Sequence, residues 1–114
     1  MPESGQSWQR RFPGDAEQVR VVRVWVGSHV CHEDAPLLAD ELFVAVLATR
    51  PAKIQMTLST AGYRARISAS GNVALPLHSV RGAGLSIIRG FSSCHGTTPD
   101  DHGLWAEVTQ EKTP

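Results

Sequence analysis

Two cysteines, Cys31 and Cys94, are all that this chain contains, too few for the disulfide framework of a small secreted domain. Net charge is missing as well. Eleven basic residues stand against eleven acidic ones, so no overall field draws the chain to nucleic acid or to an anionic membrane. Nine of the eleven basic residues are arginine, a bias that says nothing about chemistry. Long apolar runs are absent too. The longest, VVRVWV and ELFVAVLA, fall far short of a membrane span. The first residues, MPESGQSWQRRFPG, lack the apolar core of a secretory signal. These absences together predict a cytoplasmic protein with neither nucleic acid nor membrane as partner.

What is present is an ordinary globular composition, 41% apolar and 19% charged, on 114 residues, enough for one modest core. No repeat or linker interrupts it. A single domain over residues 8–110 is expected, with flexible ends at 1–7 and 111–114. Ser7–Phe12 reads as an edge strand closed by Pro13–Gly14. Asp15 is placed to cap a following helix that runs to about Val30, with Gln18 three residues on as in a capping box. Val19, Val22, Val26 and Val30 recur at helical spacing, although so many β-branched residues weaken helix propensity.

A second helix is expected from Asp34, capped by its carboxylate, through LLADELFVAVLAT to Arg50–Pro51. The period then changes to two. Ile54, Met56 and Leu58, then Tyr63, Ala65 and Ile67, alternate with polar residues across Ala61–Gly62 and predict a hairpin with one buried face. A turn-rich loop from Ser70 to Arg81 leads into GAGLSIIRGF, a short helix opened by glycine. Leu104, Ala106 and Val108 predict a closing strand. The order β-α-α-β-β-α-β predicts an α+β fold, a two-layer sandwich with helices on one face of a mixed or antiparallel sheet.

In that order, FPGDAEQVRVVRVWV, DELFVAVLA, the paired strands 53–69, RGAGLSII and HGLWAEV resemble the successive segments of the anti-sigma-factor serine kinases. These are small ATP-binding regulators of the GHKL, or histidine kinase-like ATPase, superfamily, with the Bergerat fold. The resemblance covers residues 11–109. It implies ATP with magnesium as cofactor, serine kinase activity, and a sigma factor or an anti-anti-sigma regulator as partner. It also implies that Glu41 is the general base, that the position four residues on is a magnesium-binding asparagine, and that strand 53–69 ends in an adenine-binding aspartate. Gly82, Ala83 and Gly84 fall where a glycine box would hinge the ATP lid, and backbone N–H groups at a helix start suit a phosphate.

The departures from this pattern shape the expected function. Position 45 is Ala45, which offers no oxygen to magnesium. Ala69, with Ser70 after it, stands where the adenine-binding carboxylate belongs. The lid segment is short, and His102 replaces an expected lysine. Losing a metal ligand and an adenine contact costs roughly 1–3 kcal/mol each, or roughly two to four decades of affinity. The nucleotide pocket of Glu41, Ala45, Ala69, Gly82, Ala83 and Gly84 is therefore expected to be degenerate, with Glu41 a relic or a weak base and no cofactor required.

Three functions follow. The first is a regulatory protein that binds another protein, or itself, without catalysis. The second is a working ATP-dependent serine/threonine kinase acting on an anti-anti-sigma factor. The third is a domain that has turned the old pocket to a more apolar small molecule. For the first, Trp8, Arg10, Arg11, Phe12 and Arg20 form the expected partner surface, since aromatic residues and arginine dominate interface hot spots. The competing reading has Trp8 and Phe12 capping the core. The pairs Cys31–His32 and Cys94–His95 lack zinc-ligand spacing, so no metal site is expected.

Overall fold

A computed structural model describes residues 5–75 and 83–109, the side chains of residues 83–86 apart. Strand β1 (Gly5–Pro13) leads through a turn of 3₁₀ helix (Ala16–Gln18) into α1 (Val19–His29) and α2 (Ala35–Leu47). The hairpin β2 (Lys53–Ala61) and β3 (Arg64–Ser70) follows, then α3 (Ala83–Phe91), β4 (Cys94–Thr97) and β5 (Gly103–Thr109). The five strands form one sheet in the order β1-β2-β3-β5-β4, and every neighbouring pair is antiparallel.

Alternation builds the core from the sheet side. Ile54, Met56 and Leu58 of β2, Ala65, Ile67 and Ala69 of β3, and Leu104, Ala106 and Val108 of β5 are all buried. Their intervening neighbours carry the polar side chains to the other face. Helix α2 lies at the centre, packed against α1, α3, β2, β3 and β5. Contact on so many sides explains why it buries Ala35, Leu38, Ala39, Leu42, Phe43 and Val46, a stripe wider than a surface helix needs. Each of its larger apolar side chains contributes about 1.5–3 kcal/mol. Among the described residues no polar or charged side chain is buried. The result is an α+β domain with its helices packed on the apolar face of an antiparallel sheet, the arrangement of a two-layer sandwich.

Several local expectations change. The edge strand expected from Ser7 begins two residues earlier, with Gly5 and Gln6 paired with Ala61 and Thr60. Asp15 does act as a cap, accepting the Glu17 N–H at 3.1 Å, but it caps the 3₁₀ turn rather than α1. Asp34 makes no side-chain cap. Its backbone is already helical (φ −90°, ψ −7°), unlike the extended geometry that aims a capping oxygen at the first turn. Its own N–H instead donates to Nδ1 of His32 at 3.0 Å. Tyr63 is exposed at the hairpin turn rather than on the buried face, beside Gly62, whose φ of 59° suits the first position of a two-residue connection. Strand β4 was not expected at all. The parts of the 70–81 loop beyond Leu75, and the ends 1–4 and 110–114, lie outside the described residues.

Candidate functional site

Helix α2 carries Glu41 and Ala45 one turn apart. Glu41 is half-buried and has no hydrogen-bond partner among the described residues. Burial, and secondarily the neighbouring Asp40 carboxylate, push its pKa above the usual glutamate value. Asp40 itself reaches Arg23 of α1 at 4.0 Å. A carboxylate so perturbed is chemically suited to accept a proton. Ala45 is half-buried and packs against the core.

Ala69, near the end of β3, faces the core and is fully buried between its strand partners Met56 and Leu104. The next residue, Ser70, points to the opposite side of the sheet. Past it the chain runs close to α2. A β-carbon on Gly71 would lie 3.2 Å from Val46 Cγ1 and 3.4 Å from Pro51 Cβ. The Gly71 N–H donates to the His102 carbonyl at 3.0 Å.

His102 belongs to a tied turn before β5. Its N–H donates to Asp100 Oδ1 at 3.0 Å, and its Nδ1 lies 3.7 Å from Asp100 Oδ2. The Thr98 hydroxyl, donating at 2.6 Å, is the main cause holding the Asp100 pKa below the usual range, with the His102 N–H next. Gly82 lies outside the described residues, and Ala83 and Gly84 are the first residues of α3. Among the described residues, Glu41, Ala45 and Ala69 line no common cleft. Ala69 is sealed in the core, while the cleft that touches α2, about 260 Å³, is lined by Leu42, Ile88, Leu104 and Trp105 with Arg89 and His95.

The expected partner surface is divided by the pleat of β1. Trp8, Arg10 and Phe12 share the helix-side face, and Arg11 lies on the other. Phe12 is 1% exposed and meets Trp25 and Phe43 edge-on, with centroids 5.6 and 6.3 Å away, so it is a core residue and not a docking residue. Trp8 is half-buried against the His29 ring, 4.8 Å away. The Arg10 guanidinium sits 4.8 Å over the Phe12 ring, and exposed Arg20 lines a groove with Glu17 and Arg23 along α1. Cys31 and Cys94 are both free and exposed. Among the described residues no three histidine, cysteine or acidic groups converge as a metal site would require.

The helix-free face of the sheet is where sequence reasoning missed a pattern. The strand register aligns Arg11 with Gln55 and Ser70, and Arg66 with Glu107 and Cys94. Arg66 stacks 4.2 Å over Trp105 and pairs with Glu107 at 3.4 Å. Among the described residues this face holds Arg11, Lys53, Arg64 and Arg66 against one acid, Glu107. The alternation that revealed the buried residues contained this signal, because the out-of-phase residues must share the opposite face.

No protein-family model matches this chain, and no curated protein matches it either.

Proposed function

We propose that this chain is a regulatory protein of histidine kinase-like ATPase architecture, related to the anti-sigma-factor serine kinases, that works by binding another protein with its nucleotide site lost. The partner would be a sigma factor, an anti-anti-sigma-like regulator or a second copy of the chain. The observation that carries the reading is the environment of Ala69. Where the resemblance expects a solvated carboxylate to hold adenine, the side chain is a methyl group at 0% exposure between Met56 and Leu104. Ala45, where a magnesium ligand is expected, packs against the same core. Apolar packing at both positions supports loss of the ligand rather than its replacement by another polar group.

Calorimetric titration with magnesium-ATP tests this. The dissociation constant should be weaker than roughly 100 μM, which corresponds to the loss of several kcal/mol from a micromolar site. Low-micromolar binding would refute it. One observation favours the kinase instead, the raised pKa of Glu41, which suits a general base. On that reading, labelled phosphate from ATP appears on a partner serine and disappears in Glu41→Ala. On the reading proposed here, no transfer occurs.

A further inference from the structure

At one end of the helix-free face, β1, β2 and the exit of β3 enclose a cleft of about 350 Å³, lined by Arg11, Lys53, Gln55, Ser70, Gly71 and Asn72. Its chemistry is one-sided. Two cationic side chains line it and no acid does. Lys53 has no ion pair among the described residues. Arg11 uses only Nε, donating to Gln55 Oε1 at 3.4 Å, which leaves the rest of its fork free and steers it along the Arg11–Gln55–Ser70 row. The Ser70 hydroxyl and the Asn72 amide have no hydrogen-bond partner among the described residues.

The one acid on this face among the described residues, Glu107, is taken by Arg66 and Cys94. It aligns with Ser7 of β1, four residues along the strand from Arg11, or about 13 Å, beyond the screening length of about 8 Å at physiological salt. Among the described residues no acid lines the cleft, and neither Arg11 nor Lys53 is held in an ion pair.

We propose that this cleft binds the phosphate group of a small phosphomonoester. A planar guanidinium fork, a compact ammonium, a hydroxyl and an amide together offer more donors and more positive charge than a two-oxygen monoanionic carboxylate can use. A dianionic group with three oxygens uses them all. The volume also exceeds what a bare phosphate fills and falls within the range of small-molecule pockets, leaving room for the body of the ester. Arg11, Lys53, Gln55 and Ser70 lie on the sheet face opposite Ala69, and none of Glu41, Ala45 or Ala69 lines the cleft, so it does not depend on the nucleotide pocket.

The test is a ¹⁵N NMR titration of the full chain with inorganic phosphate, with glycerol phosphate and, at matched ionic strength, with sodium chloride. Saturable shifts are expected at the Gly71 and Asn72 amides and at Arg11 Nε–H, with the ester binding more tightly than inorganic phosphate. Arg11→Gln and Lys53→Gln, both at exposed positions, should each weaken binding at least tenfold, while Arg64→Gln, outside the cleft, should change it less than twofold. Shifts reproduced by chloride, or an unchanged affinity in Arg11→Gln, would overturn the site. A phosphoserine peptide binding tenfold more tightly than glycerol phosphate would overturn the small-molecule assignment. Magnesium-ATP calorimetry repeated on Arg11→Gln separates the two sites: nucleotide held here by its phosphates is lost in that variant, and nucleotide held beside α2 is not.

Discussion

Replacing Ala69 with aspartate places a carboxylate at the position where the resemblance expects one, inside a core that holds no polar side chain among the described residues. Its neighbours across the sheet, Met56 and Leu104, offer neither a donor nor a counter-charge. An uncompensated buried charge costs about 3–5 kcal/mol, a large share of the roughly 5–15 kcal/mol that holds such a domain together. The same figure follows from titration. If burial raises the folded pKa by roughly three units above the ordinary 3.9, then at about 1.4 kcal/mol per unit the penalty is about 4 kcal/mol. The sign is fixed, because the folded state holds its proton more tightly than the unfolded chain. The charge penalty is therefore absent below about pH 3.9, grows as pH rises, and levels off above the raised folded pKa. Urea unfolding of wild type and Ala69→Asp at pH 4 and pH 7, read as the difference between the two proteins, measures it. At about 4 °C per kcal/mol, the melting temperature at pH 7 should fall by about 12–20 °C. A loss below about 1 kcal/mol at pH 7, with no pH dependence, would refute the reasoning and mean that Ala69 borders a wet pocket able to receive a ligand.

Glu41→Gln should gain stability at pH 7, because the wild-type carboxylate is charged against its environment; the gain should fade as pH falls from the raised folded pKa toward 4.5 and be absent below it, as urea unfolding at pH 7 and pH 4 would read. Gly14→Ala should lose roughly 3 kcal/mol by chemical denaturation, since its β-carbon would fall 1.8 Å from the Pro51 carbonyl oxygen. Arg50, just past α2, has φ 56°, so Arg50→Gly should relieve left-handed strain and raise stability by about 0.5–1 kcal/mol, seen as a small rise in melting temperature.

The sheet was legible because its period of two is strong: the buried residues of 54–58, 65–67 and 104–108 all followed the expected phase. The helices were legible as elements but not at their ends. Asp15 and Asp34 are both good capping types, and only the backbone conformation decides which of them caps. Strand β4 was hidden because CHGT is short, solvent-facing and shows no alternation. Its position comes from β5, through Ser93 N–H donating to the Glu107 carbonyl at 2.8 Å and the Trp105 indole donating to the Thr97 carbonyl at 3.2 Å. The candidate site was legible only in identity. Sequence placed Glu41 and Ala45 on one helix and left Phe12 between a docking and a core-capping role, but did not place Ala69 behind a sealed wall, because depth depends on contacts between distant elements.

The pairing of β1 with β2 also sets a timetable for folding. Gly5 meets Ala61, and Pro13 meets Lys53, with both long helices lying between the two strands. The β2–β3 hairpin joins neighbours in sequence and closes within microseconds of its own accord, whereas β1 can join only after a loop of two helices has closed. On the ribosome, β1 emerges well before β2, so the strand that carries Trp8 and Phe12 must wait with its edge unpaired. Arg10 and Arg11, set between those two aromatic residues, keep the waiting strand charged and discourage it from pairing with another chain before β2 arrives.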